Sequence, residues 1–244
     1  MNCINNSNVF KKVVVDSNSR LFFCSDVHGE LTFLLDSLNS IGFKVGSDVL
    51  IHAGDLVDRG TESFKTARFF CNDNSGSFYS ILGNHDMFSI NQNYELWFLN
   101  GGQWILDELP THEEKLLFSE MMKRLPLIME VEHKNSTIGV THACVPYEFE
   151  NWKDFVEFSK SNINDGLIEE ITWQREFVEY KNNKFYTKAF INGVDYTVHG
   201  HTVVKEPTFV ANRLHIDTGL VYGKYLTIAE LVDGQFVFHS FYKE

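Results

Sequence analysis

Five apolar runs in this 244-residue chain stop at residues that can bind metals or move protons. RLFFCSD continues into VHG and brings Asp26 and His28. DVLIHAGD continues into LVDRG and brings Asp55, Asp58 and Arg59. SFYSILG continues into NHD and brings Asn84, His85 and Asp86. IGVTH ends at His142, and YTVHGH at His199 and His201. Carboxylate, amide and imidazole donors without a thiolate suit manganese, iron or zinc in a mixed oxygen–nitrogen site. Six candidate ligands (Asp26, His28, Asp55, Asn84, His142 and His201) are too many for a simple catalytic zinc site. They match two divalent metals sharing one carboxylate, with Asp55 as the natural bridge.

Each cluster alone has a plainer reading. An Asp after a βα turn caps a helix, and a His ending a strand is commonly a satisfied structural residue. Capping alone does not produce five such clusters in one chain. His52, His112, His133, His215 and His239 lack this context and read as structural. His199 stays open between a structural role and support for His201, whose face it would share in an extended strand. Cys144, two residues after His142, reads as an inert thiol.

Parallel strands with crossover helices would bring the clusters together. RLFFCSD, DVLIHAGD and SFYSILGNH read as strands, ELTFLLDSLNSIG and TESFKTARFFCND as helices. The order β-α-β-α-β implies parallel pairing. Asp26, Asp55 and Asn84 follow one another at a constant step of 29 residues, one β-α unit. Strand ends of a parallel sheet lie on one edge, where such folds bind ligands. Thr111 and Glu114 stand at capping-box spacing, so a helix starts there and Pro126 ends it. LIMEVEHKNSTIGVTHA reads as a hairpin turning at Lys134-Asn135, and LTIAELVDGQFVFHSF as one turning at Asp233-Gly234. VDYTVHGH and RLHIDTG read as strands, and residues 147–190 as helix and loop.

Composition bounds the rest. The length fits one domain over 1–244. A net charge of −12 argues against a nucleic-acid or anionic-membrane surface, yet a metal site overrides that sign locally for a small phosphorylated ligand. No run reaches membrane-spanning length, and MNCINNSNVFKK has no leader-like apolar segment. Cys3, Cys24, Cys71 and Cys144 show no CxxC spacing and read as free thiols of a reducing, cytoplasmic compartment.

DVHG, GDLVDRG, GNHD, THA, HGHT and IDTG together resemble the metallophosphoesterase superfamily. Within it they resemble the PPP-type serine/threonine phosphoprotein phosphatases, in the subgroup of the bacteriophage lambda protein phosphatase and its bacterial relatives. LNGGQW, WQR at 173–175 and GHTVVKEPTFVANRLHIDTGLVYG fit that subgroup too. The resemblance covers residues 20 to about 230 and is weakest over 147–190.

It implies an α/β fold with a central two-sheet β-sandwich flanked by helices and a dinuclear site at the strand C-terminal edge. Asp26 and His201 are then expected within about 10 Å of each other, because paired metals sit ~3.5–4 Å apart. It implies two divalent metals, manganese first with iron or zinc as alternatives. Asp26 and His28 would hold one, Asn84, His142 and His201 the other, with Asp55 between. A metal-bridging hydroxide would attack phosphorus, His85 paired with Asp58 would protonate the leaving group, and Arg59 and Arg175 would bind phosphate oxygens. The implied partners are phosphoproteins or phosphopeptides carrying phosphoserine or phosphothreonine, with phosphotyrosine as an extension. Asp86 departs from the Glu usual in those phosphatases; GNHD is more typical of diadenosine-tetraphosphate hydrolases, the alternative reading. Those hydrolases tend to lack the Asp kept here as Asp58. Arg175 either reaches the phosphate from a loop anchored by a buried Trp173 ring or pairs with Glu179 on a helix surface.

Overall fold

The computed structural model of the chain describes residues 8–175 and 190–243. The elements run in the order β1 (Phe10–Val15), β2 (Leu21–Cys24), α1 (Leu31–Ser40), β3 (Val49–His52), α2 (Ser63–Cys71), β4 (Phe78–Ser80), α3 (Asn84–Asn91), α4 (Tyr94–Leu99), α5 (Ile105–Glu108) and α6 (His112–Met122). After these come β5 (Ile128–His133), β6 (Ser136–Thr141), α7 (Trp152–Asn162), α8 (Asp165–Trp173), β7 (Tyr196–His199), β8 (Thr208–Val210), β9 (Arg213–His215), β10 (Tyr225–Val232) and β11 (Gln235–Tyr242).

Two sheets form, ordered β1-β5-β6-β7-β9-β8 and β11-β10-β2-β3-β4. β2, β3 and β4 pair in parallel, as expected, and so do β6, β7 and β9. The sheets pack face to face. Leu21, Phe23, Val49 and Ile51 of one meet Met129, Val131, Ile138, Val140, Val198 and Leu214 of the other. The alternate residues Phe22, Cys24 and Leu50 face outward onto Leu34, Leu38 and Phe70 of the helices. Burial on both faces is why these strands read as unbroken apolar runs. Burying one such side chain contributes about 1.5–3 kcal/mol.

Both hairpins turn where expected. Asp233 and Gly234 have φ of 49° and 78°, as a two-residue turn with both central residues left-handed requires. Thr111 Oγ1 accepts Glu114 N at 3.2 Å while Glu114 Oε2 accepts Thr111 N at 2.9 Å, the reciprocal cap that starts α6. β1 was not expected. FKKVVV carries two lysines, and Lys12 is tied across the sheet to Glu130 and Glu132 of β5. The third strand is shorter than its apolar run: β4 stops at Ser80, and Asn84 already opens α3.

Candidate metal centre

The parallel strand ends are level. Cys24 pairs with His52 and His52 with Ser80, so Asp26, Asp55 and Asn84 all leave one edge. In the facing sheet His199 pairs with His215, and His142, His201 and Asp217 leave the corresponding edge. Of the positive-φ residues other than glycine among those described, six are predicted site residues: Asp26, His28, Asp55, Asp58, Arg59 and His201. Each costs roughly 1–3 kcal/mol, and such strain clusters at functional sites. Here the left-handed step turns the chain so that neighbouring side chains aim into one place.

That place is a small cleft into which Asp26, Asp55, Asn84, His85, Arg59, Arg175 and His201 open. One donor atom each from His28, Asp55 and His85 lies within 4.8 Å of the others, as does one each from Asp55, His142 and His201. Asp55 belongs to both groups, as expected of a bridging carboxylate. Asp26 joins through His201, whose N–H donates to Asp26 Oδ2 at 3.0 Å, so the two share one site. Asn84 Oδ1 lies 2.9 Å from His142 Nε2. Gly83 lets the chain before Asn84 close on Asp55: a Cβ there would fall 2.2 Å from Asp55 Oδ1.

Hydrogen bonds orient the imidazoles. His28 Nδ1 meets the Val57 carbonyl at 2.8 Å and His142 Nδ1 the Ala53 carbonyl at 2.7 Å. In each the Nδ1–H is thereby fixed on a carbonyl and Nε2 is turned inward, the usual orientation of a metal-binding His. His201 is set the other way, with Nε2 near the Trp173 carbonyl (3.0 Å) and Arg175 Nε (3.2 Å), leaving Nδ1 for the site. Burial pushes His28 and His201 down to about 3, so both are neutral and ready to ligate.

Five carboxyl groups, Asp26, Asp55, Asp58, Asp86 and Asp217, are buried around this point. Burial and then the Asp217 charge hold Asp26 well above the usual carboxylate range; burial raises Asp217 to about 6. Burial also opposes a charge on His142, but Asp55 at 3.4 Å overrides it and lifts the imidazole to about 10. Against the same burial penalty, His142, His85 and His28 hold Asp55 well below the ordinary range. Buried carboxylates in excess of buried cations, ringed by oriented imidazoles, fit a pair of divalent metals. Asp26, His28, Asp55, Asn84, His142 and His201 would hold them.

The family model for calcineurin-like phosphoesterases matches residues 19–205. The chain belongs to the calcineurin-like phosphoesterase family. Over 229 residues this phosphoesterase is 27% identical to serine/threonine-protein phosphatase 1 of Salmonella typhimurium, covering 91% of this chain and 97% of that one. Over 219 residues it is 28% identical to the asymmetrical bis(5'-nucleosyl)-tetraphosphatase PrpE of Bacillus subtilis, covering 83% and 87%. The solved protein serine/threonine phosphatase from Saccharomyces cerevisiae with similarity to human phosphatase PP5 shares the fold at a TM-score of 0.70 and 14% identity, covering 96% of this chain and 84% of that one. The phosphoesterase is thus a hydrolase of a metal-dependent fold, and no helix among its described residues is long and apolar enough to cross a membrane.

The remaining predicted residues lie at the same edge. His85 Nδ1 meets Asp58 Oδ2 at 2.7 Å, both buried. Arg59 holds its guanidinium against His28 Nε2 and, at 2.7 Å, His85 Nε2. Arg175 reaches the cleft, and Glu179, its surface alternative, lies outside the described residues. Trp173 does not bury its ring, which is 37% exposed against Phe88 and His201. The buried apolar side chains of α8 are instead Leu167, Ile168 and Ile171. His199 does not support His201. β7 ends at His199, His201 lies in a left-handed turn beyond it, and the His199 nitrogens are used by Thr141 and Thr197. Asp86 accepts N–H groups of Asp55, Leu56 and Gly83 at 2.9–3.0 Å, so it ties two site loops together. Burial and Asp55 raise it to about 7, and the N–H groups pull it back.

Sequence reasoning missed Asp217, although RLHID ends an apolar run as RLFFCSD does. It also left Trp104 as a mere motif letter and passed over Trp97, and it missed Tyr222, whose ring lies 5.1 Å from the Arg59 guanidinium at the cleft wall. Among the described residues Cys24 and Cys71 are free thiols.

Proposed function

We propose that this phosphoesterase hydrolyses phosphoserine and phosphothreonine monoesters of proteins, and phosphotyrosine with less demand on its acid. The observation that carries this reading is the buried Asp58–His85 pair at 2.7 Å. A serine or threonine alkoxide is a strong base and leaves only with a proton. Asp58 fixes the His85 ring so that its Nε2 faces the cleft, and a proton held there is the one the alkoxide takes. Arg59 and Arg175 line the same cleft with planar forks suited to phosphate oxygens. Arg59 is already poised on His28 and His85, and its guanidinium exchanges those partners for phosphate. When bound, two divalent metals, manganese among them, supply Lewis acidity and activate water.

A dinucleoside-polyphosphate hydrolase is the second reading, favoured by the PrpE relatives and by Asp86. Its leaving group is a phosphate oxygen, which departs without help from His85. The test compares turnover of a phosphoserine peptide and of diadenosine tetraphosphate under a panel of divalent metals. Faster, His85-dependent peptide hydrolysis is the expected outcome. Faster diadenosine tetraphosphate hydrolysis that survives His85→Asn would replace the first reading by the second.

A further inference from the structure

Trp97 of α4 and Trp104 at the end of LNGGQW, residues 99–104, bring two indoles onto one buried oxygen. Trp97 Nε1 donates to Asp58 Oδ1 at 2.7 Å, and Trp104 Nε1 donates to the same atom at 2.8 Å. The other oxygen, Oδ2, meets His85 Nδ1. Asp58 is fully buried, and its own N–H is held by Ser63 Oγ at 2.9 Å. The indoles pack edge to face, with centroids 5.9 Å apart. Gly102 lets Trp97 in, because a Cβ at 102 would lie 2.1 Å from the ring. The adjacent Gly101 carbonyl accepts Arg59 N at 3.4 Å, so one loop braces both Asp58 and Arg59.

We propose that Trp97 and Trp104 are positioning residues that clamp Asp58 and, through it, aim the His85 ring at the leaving group. The inference rests on the reading of His85 as the acid. A carboxylate has only acceptor sites, so three N–H groups fit it without conflict. With Oδ1 doubly held, the carboxylate cannot rotate, and Oδ2 stays aligned on Nδ1. Indole serves better than Arg or Lys here. It donates a hydrogen bond without a positive charge, so the whole charge of Asp58 remains for His85. Its large apolar body also keeps water from competing for the oxygen.

The test uses the metal-loaded enzyme with two substrates, a phosphoserine peptide and para-nitrophenyl phosphate. Trp104→Phe, which keeps an aromatic body but deletes the N–H, is expected to lower kcat on the peptide about tenfold with KM within twofold. That is the low end for a hydrogen bond to a charged group when one donor remains. On para-nitrophenyl phosphate, whose leaving group needs little protonation, the loss stays within about threefold. In an Asp58→Ala background, Trp104→Phe is expected to change nothing further. Equal losses on both esters, or the same loss with and without Asp58, would reduce Trp104 to a packing residue and overturn the proposal.

The clamp is also read without altering either tryptophan. In protein labelled with ¹⁵N at the indoles, the Trp97 and Trp104 Nε1–H resonances are expected to move on Asp58→Ala, while those of Trp152 and Trp173 stay. Two unmoved resonances would overturn the proposal even if Trp104→Phe failed to fold. If His85→Asn itself costs the same on both esters, the acid reading fails, and the resonance test still decides whether the indoles hold Asp58.

Discussion

The two sheets each send three parallel strand ends to the metal edge, but they do so differently. The sheet with β2, β3 and β4 supplies Asp26, His28, Asp55, Asp58, Arg59, Asn84, His85 and Asp86 within one β-α-β-α-β unit. It also carries five of the six left-handed site residues. The sheet with β6, β7 and β9 supplies His142, His201 and Asp217, and α7, α8 and other chain separate the first two. The first sheet concentrates the Asp58–His85 pair, Asp55 and most of the left-handed residues in consecutive loops. The second closes the site from across the sandwich with single side chains. Asp55 joins them: it touches His28 of its own sheet at 3.7 Å and His142 of the other at 3.4 Å.

Removing that joint has the largest expected effect. Asp55→Asn lowers turnover by more than the ~10²–10⁴-fold that a general acid supplies. Bound metal, measured by elemental analysis, falls with it. Full retention of two metals would show that the sheets hold their ions independently.

Next comes a residue belonging to the first sheet alone. His85→Asn is expected to cut phosphoserine-peptide turnover by roughly 10²–10⁴-fold, with a smaller loss on an aryl phosphate. Metal content stays at the wild-type level. A drop would move His85 from the acid role to the ligand set, where its 4.8 Å grouping with His28 and Asp55 also permits it.

Arg175 follows α8 by two residues, outside both sheets. Arg175→Ala is expected to lower kcat/KM by ~1.5–3 kcal/mol and to weaken inhibition by inorganic phosphate. Arg175→Lys restores part of it, since a point charge lacks the fork. Unchanged kinetics and phosphate inhibition would return Arg175 to the surface.

The smallest effect is graded by pH. His142 is raised to about 10 by Asp55, so without metal the pair holds a proton that a metal must displace. Apparent metal affinity is therefore expected to rise with pH, by at most about tenfold per unit for one proton, up to pH about 10. Calorimetric titrations in buffers of different ionisation enthalpy count the released proton. In the metal-free chain the sign is the reverse for stability. A raised imidazole contributes fully below its unfolded value of about 6.5 and loses that contribution as pH rises through about 10. No proton release on metal binding would place His142 outside the ligand set.

The asymmetry between the sheets also explains what was legible. Apolar runs ending in Asp26, Asp55 and Asn84 at a fixed step of 29 residues are local features of a repeated β-α unit, so the sequence by itself determined that half of the site and its parallel pairing. Thr111 with Glu114, and Asp233 with Gly234, are likewise local chemistry, and the helix start and the turn fall where those residues put them. His142 and His201 were visible only as single residues after strands. Their meeting with Asp55 and Asp26 depends on two sheets packing face to face, which no spacing along the chain encodes.

Tertiary structure alone decided the rest. It turned His201 out of line with His199 through a left-handed step, left the Trp173 ring half open, and used Asp86 to tie two site loops. It also brought Trp97 and Trp104 onto Asp58 from residues 39 and 46 positions away. The physical reason is shared by the two carboxylates, Asp86 and Asp58. A buried polar atom must find a partner wherever the packed chain offers one, and that partner is chosen by the folded geometry rather than by sequence neighbours.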